Sequence, residues 1–212
     1  MKKVMLKTTL SLAVAMASTQ LFASGFALNE QSISGMGTGF AGRSSSADDA
    51  STVAGNPAGM SRLKRDQITA GVAAIDAKTD IKNTSGGPPG SSNDGDMVPF
   101  TKVPMLFAVK KATDDLAFGL GVYAPFGLIT NYEDSFGGRY YGKKSDVKVV
   151  TLQPTVSYAF NEYVSVGIGP TFNKISGNLT SSTPLAQTFG RNDGLVDIKG
   201  DDTAWGYKVG IL

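Results

Sequence analysis

Leu116-Ala117-Phe118-Gly119-Leu120-Gly121-Val122-Tyr123-Ala124 puts Leu116, Phe118, Leu120, Val122 and Ala124 on one side of an extended chain, and Ala117, Gly119, Gly121 and Tyr123 on the other. Successive strand side chains point to opposite faces, so one face is bulky and apolar and the other nearly bare. A half-buried strand of a soluble sheet carries polar residues towards water. Small side chains in their place indicate a wall that faces lipid on one side and is closely approached on the other.

The same period recurs on both sides of this stretch. Val150, Leu152, Pro154, Val156, Tyr158 and Phe160 oppose Thr151, Gln153, Thr155, Ser157 and Ala159, the apolar-out and polar-in pattern of a barrel. Val164, Val166, Ile168, Pro170 and Phe172 oppose Ser165, Gly167, Gly169 and Thr171, and Trp205, Tyr207, Val209 and Ile211 oppose Ala204, Gly206, Lys208 and Gly210. Val103, Met105, Phe107 and Val109 also alternate. Ile68, Ala70, Val72 and Ala74 are out of phase with Ile75, Ala77, Thr79 and Ile81, which predicts a bulge near Ala74-Ile75. These six segments have roughly the 9 to 11 residues of a tilted membrane strand.

The connections sort by length. Lys111 to Asp115 and Asn161-Glu162 are tight; Lys82 to Phe100, Pro125 to Asp146 and Gly177 to Asp202 are long and rich in Gly, Ser, Asn and Pro. Short turns alternating with long loops are the asymmetry of outer-membrane barrels. Tyr158, Phe160 and Tyr163 gather at one short turn, where an interfacial aromatic girdle would sit. About eight strands are needed to fill a closed barrel, and the sequence stops inside a strand pattern, which predicts the N-terminal part of a longer protein.

Composition agrees. The 26 glycines disfavour helices, and without cysteine the chain holds together by packing or by closing a sheet. Missing histidine and cysteine exclude imidazole triads, thiol nucleophiles and most transition-metal sites, so neither an enzyme nor a cofactor or metal is expected. Met1-Lys2-Lys3, the apolar run Leu10 to Ala17 and Ala23-Ser24 form a secretory leader, residues 1–23, cleaved after Ala23. Its removal takes the formal charge from +2 to −1, leaving no basic field for nucleic acid.

Between leader and first strand, residues 24–65 show neither period, carry repeated glycines and include Asp48-Asp49 and Asn56-Pro57-Ala58. A segment this long is functional or disordered more often than a plain connection, and its small residues suit the bare inner faces of the strands. A plug inside a barrel built from residues 66–212 fits both facts. Adjacent acids on extended chain point apart, so Asp48 and Asp49 read as hydrogen-bond acceptors.

Ser24-Gly25-Phe26-Ala27-Leu28-Asn29-Glu30, Gly35-Met36-Gly37, Ala47-Asp48-Asp49-Ala50 with Asn56-Pro57-Ala58, Pro125-Phe126-Gly127-Leu128, Gly138-Arg139-Tyr140 and Ser145-Asp146 occur in this order. In that order and spacing the chain resembles the FadL-type outer-membrane transporters of long-chain fatty acids, which include toluene and xylene channels. The resemblance implies an all-β, 14-stranded antiparallel transmembrane barrel plugged by a hatch of about 40 residues. It implies hydrophobic substrates entering by a loop groove, a pocket at the hatch N-terminus, and sideways release at a kink in the third strand without coupled energy. It also implies a monomer in contact with outer-membrane lipid and lipopolysaccharide, with loops open to use as a phage receptor.

Phe26 and Leu28 match the family's ligand-contacting hatch positions, with anchoring of the chain end as their alternative role. Asn56, Pro57 and Ala58 would shape the plug, since Pro fixes φ and Asn starts turns. Gly119 and Gly121 would pack against the plug or leave room at a wall gap. Pro125 should end or kink the third strand, with Phe126 and Leu128 lining an entry groove. A fatty carboxylate calls for one buried cation, and Arg139, Lys143, Lys144, Lys174 and Arg191 are candidates, with Arg139, Lys174 and Arg191 foremost. Monoaromatic or alkane hydrocarbons are the alternative substrates; a polar-solute porin and a soluble sandwich are the rival folds of function.

Overall fold

The computed structural model describes residues 25–79, 81, 90–93, 95–185 and 192–212; the predicted leader, Ser24 and Arg191 lie outside them. Six strands, β1 (Gln67–Ile75), β2 (Thr101–Lys111), β3 (Leu116–Asn131), β4 (Lys144–Ala159), β5 (Ser165–Thr183) and β6 (Gly194–Ile211), form one antiparallel sheet in sequence order. The tight turns are fixed by side chains that replace backbone partners. Asn161 Oδ1 accepts from the amides of Tyr163 and Val164, both at 2.8 Å, and Thr113 Oγ1 accepts from that of Leu116 at 3.0 Å.

One sheet face, here the inner face, carries the N-terminal segment. That segment holds two short helices, α1 (Ile33–Gly37) and α2 (Thr52–Gly55), and a 3-10 turn, Pro57–Arg62. Ser32 caps α1 by accepting from Gly35 N at 3.0 Å. Asn56, extended between α2 and the 3-10 turn, caps the latter by accepting from Ala58 N at 3.1 Å, with Pro57 in its first turn. Asp49 accepts from Ser34 Oγ and Ser51 N, each at 2.8 Å, the acceptor role its sequence context suggested.

The core forms where Val53, Ala54, Met60 and Leu63 meet Val103, Met105, Phe107, Val109, Ala117 and Tyr123. The apolar row of β2 therefore points inward rather than to lipid, because the part of the N-terminal segment it meets is apolar. Further round, the wall is polar and addresses backbone carbonyls of that segment. Gln153 Nε2 donates to Val53 O at 2.9 Å, Ser157 Oγ to Ala58 O at 3.0 Å and Lys111 Nζ to Ser61 O at 2.6 Å. Tyr123 Oη closes the network by donating to Gln153 Oε1 at 2.6 Å. Gln153 is fully buried, so Gln153→Leu in the full-length protein should cost about 2–4 kcal/mol by stranding Val53 O and the Tyr123 hydroxyl. Denaturation in detergent would show it, and an unchanged midpoint would mean the wall does not hold the segment through this residue.

Two sequence expectations are corrected. The expected bulge at Ala74-Ile75 is absent: β1 pairs with β2 without a break from Gln67↔Val109 to Ile75↔Thr101, and the change of phase marks the end of the strand. The register shift lies in β3 instead, between Tyr123 and Phe126. Segments assigned to long loops are strand: β3 runs through Pro125 to Asn131, β4 starts at Lys144, β5 continues to Thr183 and β6 begins at Gly194.

Candidate functional site

β2 and β3 part company inside the sheet. They pair from Lys111↔Ala117 to Leu106↔Val122 and no further, although β2 stays paired with β1 to Thr101 and β3 with β4 to Asn131. At the divergence Ala124-Pro125 is the bulge, and Pro125 brings no N–H to a ladder. The freed edge of β3 is taken up by the N-terminal segment: Ala27 bridges Phe126, Leu28 N donates to Pro125 O at 2.9 Å, and Gly127 N donates to Phe26 O at 3.0 Å.

The parting leaves a cleft of about 570 Å³ whose walls include Leu28, Val103, Met105, Tyr123, Leu128 and Val149. Outer-face residues Pro104, Leu106, Val122 and Val150 line it too, so the cleft passes through the sheet. Phe26 meets Phe126 edge-on, with ring centroids 5.9 Å apart. Thus Leu28 and Leu128 line the opening, Phe26 and Phe126 stand at its border, and Pro125 creates it.

Gly119 and Gly121 lie away from the gap, in unbroken ladder on both sides. A Cβ on Gly119 would stand 2.8 Å from Val53 Cγ2 and nearer still to Met60 Sδ; one on Gly121 would stand 3.0 Å from Phe107 Cδ1. Their bareness admits the N-terminal segment. Asn56, Pro57 and Ala58 press on β5 and β6, where Asn56 Nδ2 donates to Ser44 O at 2.7 Å and Ile211 O at 3.0 Å.

Towards the loop end of β4, β5 and β6 the two faces exchange character. The inner row of Thr151, Asn173 and Ala204 gives way to Val149 and Ile175, the latter opposite Asp202, then Val147, Leu179, Ile198 and Val196, with Ser145 and Ser181 among them. The outer row becomes polar: Lys174 with Thr203, Lys148 with Ser176 and Asp201, Asp146 with Asn178 and Lys199. Lys148 pairs with Asp146 at 3.0 Å and Lys199 with Asp197 at 2.9 Å. Leu179, Ile198 and Val196 stay exposed on the inner side, an apolar stripe above the N-terminal segment.

The cation candidates separate accordingly. Lys174 is on the outer face and cannot meet a ligand on the inner one. Arg139 is a loop tie: its Nε pairs with Asp193 at 3.0 Å, its peptide oxygen accepts from Ser182 N at 2.8 Å, and Tyr140 Oη reaches Asp193 at 3.0 Å. Arg139→Ala should therefore open the chain at Asp193, just before β6, to proteolysis and leave ligand affinity intact; weakened binding with unchanged digestion would reverse that assignment. Among the described residues, the inner-side cations that sequence reasoning missed include Lys208, which donates to Ala54 O, and Arg43, which donates to Gln31 Oε1. Burial holds the Arg43 guanidinium below the usual arginine value, partly opposed by the neighbouring Tyr123.

Known proteins resemble this chain in sequence and fold. A long-chain fatty acid transport protein of Escherichia coli O6:H1 is 31% identical over 230 residues, covering 100% of this chain and 52% of the relative. The crystal structure of a FadL homologue from Pseudomonas aeruginosa superposes with a TM-score of 0.64 at 21% identity, over 88% of this chain and 49% of that one. That of the toluene transporter TbuX of Ralstonia pickettii gives 0.56 at 17%, over 76% and 48%. At such identities the two structures speak for the fold, a transmembrane β-barrel of which these strands are a section. The chain spans about half the length of the proteins it matches. With residues 14–212 matching the family described as Outer membrane protein transport protein (OMPP1/FadL/TodX), the chain belongs to that family and to the outer membrane of Gram-negative bacteria.

Proposed function

We propose that the protein takes up hydrophobic substrates passively across the outer membrane, long-chain fatty acids foremost, with residues 24–65 as a hatch and the β2–β3 cleft as a sideways exit into the membrane. The observation that carries this reading is the apolar inner stripe at the loop end, Val147, Val149, Ile175, Leu179, Val196 and Ile198, which leads to the apolar cleft. An inner stripe that water does not wet well favours a hydrophobic passenger, and it argues against a channel for polar solutes, whose interior is polar. The fatty acid transport relative supports an acyl chain as the passenger. The cleft lining itself would also accept an aromatic hydrocarbon. The outer row of lysines and aspartates suits the headgroup level of lipopolysaccharide, and the barrel works as a monomer.

Uptake of labelled oleate and labelled toluene by cells that lack their own carriers and express the full-length protein tests the proposal. Oleate accumulation is expected. Toluene accumulation alone would move the protein to hydrocarbon uptake, and accumulation of neither would end the reading.

A further inference from the structure

We infer that the β2–β3 cleft is a closed frame rather than a slit, and that Thr79, Ser92, Met97 and Asn131 clasp its outer end and so restrict sideways release to slender passengers such as single acyl chains. The inference rests on the reading of the cleft as the exit.

Beyond the cleft the two chains rejoin. Asn131 N donates to Met97 O at 2.7 Å, and these residues stand equally far along their chains from the last common rung, Leu106↔Val122. Met97 is also held from the β1 side. Asp96 N donates to Thr79 O at 3.0 Å, Met97 N donates to Thr79 Oγ1 at 3.2 Å, and Thr79 N donates to Asp96 Oδ1 at 3.1 Å. Thr79 and Met97 again lie equally far beyond the final rung of their ladder, Ile75↔Thr101. The chain of β2 therefore bows away from β3 and returns in the register it left. A second course of bonds lies further out. Ser92 N donates to Ser135 O at 2.9 Å, Gly137 N to Ser92 O at 3.2 Å and Ser92 Oγ to Glu133 Oε1 at 2.8 Å, while Tyr132 stacks on Phe136 with ring centroids 4.1 Å apart.

The cleft lining ends where the clasp begins. It runs from Leu106 and Val122 at one end to Val98 and Ile129 at the other, and Val98 is the chain neighbour of Met97. Neither side of the frame is free to retreat, since β1 is paired with β2 as far as Thr101 and β4 with β3 as far as Asn131. A slit open towards the loops would widen by fraying from its end. A frame closed at both ends widens only by breaking the clasp or a ladder, and their hydrogen bonds resist that. Its perimeter thus sets the largest cross-section that passes. A flexible acyl chain crosses such an opening end-first; a fused aromatic system as broad and rigid as pyrene does not.

The test measures uptake of labelled oleate and of a pyrene-tipped fatty acid by cells that lack their own carriers. They express the full-length protein as wild type, as Ser92→Ala with Asn131→Pro, or as Met97→Cys with Asn131→Cys. The first double variant removes the Ser92 side-chain bond and the N–H that reaches Met97 O. The second closes the clasp covalently, since hydrogen-bonded neighbours on antiparallel strands stand about 5.5 Å apart at Cα, a span that a disulfide bridges. Wild type should carry oleate at least about tenfold better than the pyrene-tipped acid, because an oversized group strains a packed opening. Unclasping should admit the pyrene-tipped acid and leave oleate unchanged, and the oxidised cross-link should carry oleate at the wild-type rate while still refusing pyrene. Where the unclasped variant does not reach the membrane, wild type and the cross-link decide. Three results would each overturn the closed frame: equal uptake of both probes by wild type, unchanged selectivity after unclasping with only the denaturation midpoint lowered, or loss of oleate uptake on oxidation with recovery on reduction. Failure of wild type to carry oleate at all defeats the uptake reading instead.

Discussion

Gly167→Val in the full-length protein should, on the proposed hatch reading, unseat residues 24–65 and turn a closed barrel into a conducting one. A Cβ at Gly167 would stand 2.5 Å from Ala58 N and 2.6 Å from Pro57 O, and closer still to Pro57 C. These are backbone atoms, held by the proline ring and the Asn56 cap, so no change of rotamer relieves the clash. Either β5 or the 3-10 turn must move. Overpacking costs about 1–3 kcal/mol, and the movement also breaks the bonds joining Ser157 to Ala58 O and Ser61 N, at 3.0 and 3.3 Å, each worth about 1 kcal/mol. Ion conductance in planar bilayers and sensitivity of cells to a large polar antibiotic would report the change. Gly200→Ala, where an added Cβ meets open space, is the matched control and should stay closed. A closed and fully stable Gly167→Val variant would mean that the hatch leaves the wall without cost.

The part of the fold near Gly167 was legible because there the membrane imposes one rule on β3, β4 and β5. Lipid outside and a close-packed partner inside make the alternation of Leu116–Ala124 and Val150–Phe160 unbroken, and hydrogen bonds from Gln153 and Ser157 to the N-terminal segment explain why the inner face of β4 is polar. The row Val103, Met105, Phe107 and Val109 alternates equally well but faces the other way, since periodicity fixes that two faces differ and not which one is buried.

Beyond the bilayer the rule changes sign. Val149 and Val150 are adjacent apolar residues on opposite faces; the first belongs to the inner stripe and the second to the outer belt. A reading that expects one phase along a strand sees this doublet as the end of the strand, so Lys144 to Asp146, Gly177 to Thr183 and Gly194 to Asp202 read as loop. Their apolar inner residues and the doublet itself were the available signals. The cleft was half legible: Pro125 marked the kink, but the withdrawal of β2 depends on pairing with β1, a long-range property no local window contains. Arg43 and Lys208 sit among small residues with nothing in their spacing to mark them.

The second large effect follows from that exchange of faces. Leu179 and Ile198 are direct cross-strand partners on the inner side, 46% and 60% exposed, so Leu179→Asp with Ile198→Asp should change stability little, as substitutions at exposed sites do. Transport is another matter, because a passing acyl chain would have to strip water from two carboxylates, which costs several kcal/mol unless they are paired. Oleate uptake should fall at least about tenfold, the equivalent of 1.4 kcal/mol on the rate. Leu179→Asn with Ile198→Asn separates the two causes: loss of apolar surface should slow oleate and toluene alike, whereas repulsion of a head group appears only with aspartate and only for oleate. Lys174→Ala, one face away on the same strand, should leave uptake unchanged. If the double aspartate variant folds and still carries oleate at the wild-type rate, the stripe is not the path, and the substrate must reach the β2–β3 cleft from the membrane side instead.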